Sequence, residues 1–518
     1  MTYLAVSIPL KDQKQLRSAL KSAKTGGAEA VELRLDFLQK PDAGTVRSLL
    51  ARACDTGLPV IATCRDRSEG GAADWPLQTR LNLLIEALQA GANFIDCELA
   101  SFKTSDTAEK ILQALSSHPH ARLILSAHSL AGPFENPAAI YDDIIAACPQ
   151  AIPKIVYTAN HINDCFTAFD LLKRAENPAI IFCMGAAGLI TRILAKKFNS
   201  FLTFASLDDD QATAPGQITL AEIKQRFDWD RISPQTEVFG VIGDPVAHSL
   251  SPDLFNACFE KQNINALFLP FHVQGDRSRF NDFMDNVLKR PSLTFGGFSV
   301  TMPHKTAALD YAGRGGDFVE NPAAAIGAAN TLKIGYSGIL SAYNTDCAGA
   351  IEALTELLAI QPHELHKMKV AILGAGGVAR AITAGLAELG ADITIYNRTF
   401  TKAQALAGEF HAKAAPLTDL PGIDAQIIIN CTRLGMHPDV ESSPVSADVF
   451  TADMTAFDTV YVPLNTKFLN DARAAGARTV CGAEMFIRQA LAQFRIFVGQ
   501  DPDPDTARKT VYDRLQNR

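Results

Sequence analysis

Val370-Ala-Ile-Leu-Gly-Ala-Gly-Gly-Val-Ala-Arg-Ala-Ile-Thr-Ala384 decides how the second half of this chain is read. Val370–Leu373 is a short apolar run suited to a buried strand, and a helical pattern follows through Leu389. Between them Gly374, Gly376 and Ala379 fall as G-x-G-x-x-A. The first glycine permits a tight turn. The second lets a phosphate approach bare backbone, and the alanine lets helix and strand pack closely. The helix start would then present free N–H groups, from Gly374, Ala375, Gly376, Gly377, Val378 and Ala379, to a pyrophosphate. Taken alone, the pattern also fits a plain tight strand-to-helix turn.

The next strand-like run, Asp392–Tyr396, favours the nucleotide reading. Units that bind NAD usually place an acid at the end of this strand for the ribose hydroxyl. Here stand Asn397, Arg398 and Thr399, then Lys402. A guanidinium and a hydroxyl suit a 2′-phosphate, so the expected cofactor is NADP(H).

The chain has 518 residues, room for two to four domains. A hydrophobic fraction of 47% and a charged fraction of 20% are those of a globular protein. A net charge of −8 gives no support to a nucleic-acid partner. No apolar run approaches the roughly 18 uncharged residues of a membrane span, so no membrane partner is expected. The opening MTYLAVSIPL lacks a basic n-region and a small-residue cleavage site and reads as a first strand. Ten scattered cysteines without a C-x-x-C pair suit a reducing compartment, the cytoplasm. His363-Glu-Leu-His366 lacks the zincin spacing, and no metal is expected. No oligomeric state is predicted.

Upstream, strand-like runs at 3–8, 29–35, 58–64, 93–98, 121–127, 153–158, 179–184 and 200–205 alternate with helical patterns at 11–24, 43–56, 77–90, 106–117, 136–147, 161–174, 187–197 and 219–226. Eight such units have the rhythm of a (β/α)8 TIM barrel, with a doubly wound sheet as the structural alternative. Polar residues gather where a barrel keeps its chemistry, at strand ends. Glu32, Arg34 and Asp36 alternate along strand two; Arg65, His128 and Arg192 follow strands three, five and seven. Each has a bland reading as an interior salt bridge or a satisfied histidine. Lys154, inside the apolar Pro-Lys-Ile-Val-Tyr strand, is harder to dismiss, because a buried amine tends to shed its proton and become nucleophilic. A lysine, a histidine and several arginines at one mouth suit imine chemistry on an anionic ketone. The imine is an electron sink, the histidine moves protons and arginines hold a carboxylate.

These residues carry a resemblance. Glu32-Leu-Arg34-Leu-Asp36, Thr63-Cys-Arg65 with Glu69-Gly-Gly, Ser126-Ala-His128, Pro153-Lys154-Ile, Met184-Gly through Arg192, and Thr213-Ala-Pro-Gly-Gln217 make residues 1–228 resemble type I 3-dehydroquinate dehydratase. The resemblance implies that Lys154 forms an imine with the ketone, that His128 is the general acid/base and that Glu69 assists it. It implies that Arg192 binds the carboxylate, that Glu32, Arg34, Arg65, Thr213 and Gln217 reach the hydroxyls and ring, and that Thr213–Gln217 is a lid. The family more often has Ser at position 213.

Charges and Ser233-Pro234 break the rhythm, placing a joint near 228–236. Beyond it stand Ser249-Leu-Ser251-Pro, Thr301-Met-Pro-His-Lys305 at a helix start, Asn330-Thr331 and Asn344-Thr-Asp346. Two serines at i and i+2 offer two hydroxyls on one side of an extended segment, or form an ST-turn with a helix cap. A lysine with an aspartate can donate a proton to a ketone under reduction, or form a structural ion pair. With Ser299-Val-Thr301-Met-Pro-His-Lys305, Gly327-Ala-Ala-Asn330, Gly374-Ala-Gly-Gly, Asn397-Arg-Thr399, Asn430-Cys-Thr432 before Gly435-Met436, Tyr461 and Gly482-Ala-Glu-Met485 to Gln489, residues 238–518 resemble shikimate dehydrogenase. The resemblance implies a catalytic Lys305–Asp346 pair. Ser249 and Ser251 would bind the carboxylate, Thr301, Asn330, Tyr461 and Gln489 the ring, and Thr432 and Met436 would join the cofactor set. Arg433 departs from the family's usual small residue and adds charge near the adenine or phosphate side.

The expected organisation is a dehydratase-like barrel at 1–228, a substrate lobe at 236–346, a Rossmann lobe at 347–475 and C-terminal helices at 476–518 that return to the substrate lobe. The expected chemistry is that of a fused two-activity enzyme. It would dehydrate 3-dehydroquinate and reduce 3-dehydroshikimate to shikimate with NADPH. A quinate dehydrogenase fusion and a non-catalytic quinate- or shikimate-binding regulator are the alternatives. The three hydroxyls of Ser249, Ser251 and Thr301 favour shikimate.

Overall fold

A computed structural model describes residues 2–516 apart from 11, 12, 41, 212, 215, 315, 316 and 336. The chain divides into two compact units, Met1–Glu237 with Asn265–Gln274 and Asp282–Arg290, and Val238–Ile264 with Gly275–Asn281 and Pro291–Arg518.

In the first unit eight parallel strands follow one another around a barrel: β1 (Tyr3–Pro9), β2 (Ala30–Arg34), β3 (Val60–Thr63), β4 (Phe94–Glu98), β5 (Arg122–Ser129), β6 (Ile152–Thr158), β7 (Ile180–Met184) and β8 (Leu202–Ala205). Pairing runs unbroken from β7 back to β1 and on to β8. The seam between β7 and β8 is touched at its start, where Phe201 N donates to Ala179 O at 2.7 Å. β7 and β8 stand at the two ends of the strand order, and the barrel is nearly rather than fully closed. The helix expected over 187–197 is shorter, Leu189–Ile193 after a 3-10 turn at Ala186–Gly188.

Side chains alternate along each strand, and this period sorts the barrel interior into layers. Ala5, Ala30, Ile61, Phe94, Ile124, Ile152, Ile180 and Leu202, one from each strand, pack into a buried apolar floor. Two residues further along the same strands come Ser7, Glu32, Thr63, Asp96, Ser126 and Lys154, with Phe182 and Phe204 completing the ring. All eight are buried. An apolar floor beneath a polar layer makes a dry site at the strands' C-terminal ends.

In the second unit, Glu237–Gly243 runs parallel to Phe295–Val300. Thr331–Ile334 and Leu340–Tyr343 continue the sheet antiparallel, and Phe318–Val319 pairs parallel with the last of these. A further six-stranded sheet is wholly parallel, in the order Lys413–Ala415, Asp392–Tyr396, Lys369–Leu373, Ile427–Asn430, Thr455–Asp458, Arg478–Val480. In sequence rank this is 3-2-1-4-5-6, the Rossmann order, with the switch point beside Lys369–Leu373. Helix Gly482–Val498 lies against helix Thr345–Leu358. A Cβ at Gly349 would stand 2.8 Å from Gln489 N, so this glycine permits the close approach. Among the described residues no helix is long and apolar enough to cross a membrane.

Candidate active sites

The barrel mouth collects the residues singled out above. Lys154, third residue of β6, is buried, with Nζ 2.7 Å from Asp96 Oδ2 and 3.8 Å from Glu32 Oε1. Glu32 is fixed by two hydroxyls, Ser7 Oγ at 2.6 Å and Thr63 Oγ1 at 2.8 Å. Arg34 clasps Asp36 through Nε at 2.8 Å and Nη2 at 2.7 Å; Asp36 sits in a 3-10 turn just past the strand and still reaches its partner. Arg65 joins Asp96 at 2.7 Å, Glu98 at 2.9 Å and Ser126 Oγ at 2.7 Å.

His128, near the end of β5, meets Glu69 from the turn after β3, Nδ1 lying 2.8 Å from Oε2. Burial, then the neighbouring Arg65 and Lys154 charges, hold His128 well below the usual histidine range. Burial pushes Glu69 up to about 7; Arg65 opposes this and Glu98 adds to it. With Nδ1–H donating to Glu69, Nε2 is left as the basic nitrogen.

Arg192 is 1% exposed. Its Nη1 has one long contact, 3.5 Å to Phe204 O, and its guanidinium carbon lies 4.4 Å from the centre of the Phe182 ring. Nε and Nη2 are buried without a hydrogen-bond partner among the described residues. Burial lowers its pKa to about 10. Two buried donors with no acceptor among the described residues are suited to an anion. Thr213 Oγ1 donates to Ser7 Oγ at 3.1 Å, and Thr213 N donates to Gln217 Oε1 at 2.8 Å. Pro215 of that segment lies outside the described residues.

A second centre stands in the other unit. Lys305 opens helix Lys305–Gly313, and its Nζ lies 2.5 Å from Asp346 Oδ2. Asp346 is in the first turn of helix Thr345–Leu358, capped by Asn344, where the helix dipole favours an anion. Asn330 Nδ2 donates to Asp346 Oδ1 at 2.9 Å and to Thr345 Oγ1 at 3.0 Å. Gln489 Oε1 is 3.5 Å from Thr345 Oγ1, and its Nε2 donates to Phe486 O, whose ring stacks on Tyr461. Thr301 lies in the turn before Lys305. Ser249 and Ser251 are not on an extended segment. Ser251 begins a helix, and its N–H donates to Ser249 Oγ at 3.2 Å, so the pair forms the ST-turn.

At the parallel sheet Gly374 takes a φ of +113°, open to glycine, and turns the chain from strand into helix Gly377–Glu388. A Cβ at Gly376 or Gly377 would point into open space, leaving backbone exposed over the helix start; Ala379 is fully buried against the sheet. Asn397 Nδ2 donates to Thr399 O at 2.9 Å. Arg398 and Lys402 are exposed and make no side-chain hydrogen bond or ion pair among the described residues. Thr432 is held by Asn430 Oδ1 through both N and Oγ1, and Met436 is exposed. Arg433 turns Nη2 to Met302 Sδ at 3.6 Å, a contact across the unit that its place in the motif does not announce.

Sequence reasoning missed Asp96 and Glu98, although Asp-Cys-Glu at 96–98 alternates in an apolar strand as Glu32 and Arg34 do. It also missed Gln493, one helical turn after Gln489, which accepts from Ser299 Oγ at 2.6 Å and donates to Asn330 O at 3.1 Å.

The family description "Type I 3-dehydroquinase" matches residues 4–234. "Shikimate dehydrogenase substrate binding domain" matches 241–332, "Shikimate / quinate 5-dehydrogenase" 356–449 and "Shikimate 5'-dehydrogenase C-terminal domain" 482–512. The chain is 35% identical over 493 residues to the chloroplastic bifunctional 3-dehydroquinate dehydratase/shikimate dehydrogenase of Arabidopsis thaliana, covering 91% of this chain and 78% of that one. It is 31% identical over 472 residues to the shikimate biosynthesis protein AroDE of Chlamydia pneumoniae, covering 90% of each. A crystal structure of shikimate dehydrogenase in complex with NADP+ aligns with a TM-score of 0.50 at 35% identity, over 55% of this chain and 97% of that one.

Proposed function

We propose how the two halves act from the premise that this chain belongs to the family of bifunctional 3-dehydroquinate dehydratase/shikimate dehydrogenases. The first half is a lyase, a type I dehydroquinate dehydratase; the second is an oxidoreductase, an NADP-dependent shikimate dehydrogenase. The working parts are a barrel at 1–228, a substrate lobe at 236–346, a Rossmann lobe at 347–475 and returning helices at 476–518.

In the barrel, Lys154 attacks the ketone of 3-dehydroquinate and forms an imine with loss of water. The imine draws electrons from the adjacent carbon, and His128 Nε2 removes the proton there. The pair then expels the neighbouring hydroxyl, which leaves as water with the proton from His128. Glu69 sets the tautomer. Arg192 receives the substrate carboxylate, and Glu32, Arg34, Arg65, Thr213 and Gln217 surround the ring.

In the second half, Ser249 and Ser251 hold the carboxylate of 3-dehydroshikimate, while Thr301, Asn330, Tyr461 and Gln489 hold the ring. Bound NADPH supplies the hydride. Lys305, oriented by Asp346, delivers a proton to the ketone oxygen. Gly374 to Ala379 fit a pyrophosphate, Asn397, Arg398, Thr399 and Lys402 fit a 2′-phosphate, and Thr432 and Met436 line the same side. Guanidinium and ammonium groups with no acid partner among the described residues are the feature that supports NADP over NAD. The three hydroxyls at 249, 251 and 301 support shikimate over quinate. Ten cysteines without a disulfide among the described residues support a reducing compartment such as the cytoplasm.

One observation carries the two-step reading. The chain holds two lysine–aspartate centres, Lys154–Asp96 in a barrel mouth and Lys305–Asp346 beside a nucleotide fold. Purified protein with NADPH and 3-dehydroquinate should oxidise NADPH after a lag. Failure with both 3-dehydroquinate and 3-dehydroshikimate would bring back the binding-regulator reading.

A further inference from the structure

Asp96 is fully buried, and both its oxygens are engaged. Oδ2 lies 2.7 Å from Lys154 Nζ and 2.7 Å from Arg65 Nη2; Oδ1 accepts from Ser126 Oγ at 2.6 Å. Arg65 also pairs with Glu98, which pairs with Arg80, which pairs with Asp66. Lys154, Arg65 and Arg80 thus face Asp96, Glu98 and Asp66, with Glu32 also within ion-pair reach of Lys154, so a neutral Lys154 nitrogen would leave buried carboxylate charge unmatched. The other groups facing that nitrogen are Glu32 from β2, 3.8 Å away, His128 from β5, and the Phe204 ring from β8, its centre 4.7 Å away. The carboxylate is the closest of them, in surroundings where water does not weaken the field.

We propose that Asp96 is a catalytic residue of the dehydration, the counter-ion that keeps the Lys154 nitrogen positive after it has become an imine. This rests on Lys154 being the imine-forming lysine. A neutral imine is a weak electron sink; the iminium is a strong one. As Nζ bonds to the ketone carbon and the carbonyl oxygen departs as water, the nitrogen keeps one proton and the positive charge. Loss of the adjacent C–H proton to His128 sends its electron pair into the iminium and gives a neutral enamine. Expulsion of the hydroxyl, protonated by His128, restores the iminium, and water then releases the product and the free lysine. Asp96 takes no proton along this course. Burial alone would raise its pKa, but Arg65 and Lys154 outweigh burial and hold it far below the usual carboxylate range.

The test uses the full chain, 3-dehydroquinate and cyanoborohydride, which reduces iminium far faster than neutral imine, over a pH series. Intact mass reads the trapped adduct. In Asp96→Asn, trapping should fail at a pH lower than in wild type by about one unit or more. The dehydration kcat should fall about 100-fold, with KM changed much less. Asp96→Glu, which returns the charge, should move the limit back toward wild type. Ser126→Ala keeps the charge and should leave the limit in place, which separates charge from hydrogen bonding. A wild-type limit in Asp96→Asn, or equal limits in the Asn and Glu variants, would overturn the proposal. An adduct that persists in Lys154→Ala would instead overturn the lysine assignment beneath it.

Discussion

Glu69 Oε2 serves two N–H groups of His128, the ring Nδ1 at 2.8 Å and the backbone amide at 3.0 Å. The carboxylate therefore fixes where the residue stands as well as which ring nitrogen carries the proton. Burial moves the two titrations in opposite directions and past each other. It raises Glu69 to about 7 and, with Arg65 and Lys154, lowers His128. The two groups are in direct hydrogen-bond contact, so they titrate as one unit. Glu69→Gln removes an anion that favours the imidazolium, so His128 should titrate lower still. The acid limb of dehydration kcat/KM should move to lower pH, and kcat should fall about 10- to 100-fold. Initial rates of enone formation against pH measure both. An unmoved limb would mean that Glu69 only holds the backbone.

The two lysines should separate the two activities. Lys154→Ala should reduce dehydration by about 1,000-fold or more and leave reduction of added 3-dehydroshikimate intact. Lys305→Ala should do the reverse, lowering reduction about 100- to 10,000-fold. Half-reactions assayed on each variant decide the matter. Loss of both activities in either variant would contradict independent sites.

The barrel was legible because its period-2 strands and helical gaps repeat eight times, and each repeat constrains the next. The same alternation should have exposed Asp96. It stands two residues after the floor residue Phe94, as Glu32 stands after Ala30 and Lys154 after Ile152. A single interior acid reads as nothing until the layer is assembled around it. For Ser249 and Ser251 the ST-turn reading holds and the extended one does not, for a local reason. Leu250 takes helical angles and Ser251 is already in the helix, so spacing along the chain did not describe an extended segment. Arg433 and Met302 lie 131 residues apart, and no motif links them. Contacts of that kind come from packing and stay hidden until the chain is folded.

Arg398 offers a direct test of cofactor choice. It is exposed beside Asn397 and Thr399, with no acid partner to neutralise it among the described residues. Arg398→Glu places a carboxylate where a 2′-phosphate would sit and a ribose hydroxyl would welcome it. The KM for NADPH should rise about 100-fold while that for NADH changes little or falls. Reduction rates with each cofactor give the ratio. An equal loss with both would remove the phosphate role.

Arg192 should trade stability for recognition. Its Nε and Nη2 are buried and have no hydrogen-bond partner among the described residues, and burial draws its pKa down to about 10. An uncompensated buried cation costs several kcal/mol, and a substrate carboxylate would lift that cost on binding. Arg192→Met keeps the stem that packs near Phe182 and removes the charge. The ligand-free barrel should then melt about 3 °C or more higher than wild type. The KM for 3-dehydroquinate should rise about 100-fold. Saturating 3-dehydroshikimate should raise the melting transition of the wild-type barrel and leave the barrel transition of the variant almost unmoved, while the second unit, which also binds this ligand, shifts equally in both. Thermal melts with and without that ligand, set beside dehydration kinetics, read all three. A variant that melts lower and keeps its KM would make Arg192 a packing residue and send the search for the carboxylate's partner to Arg34 and Arg65.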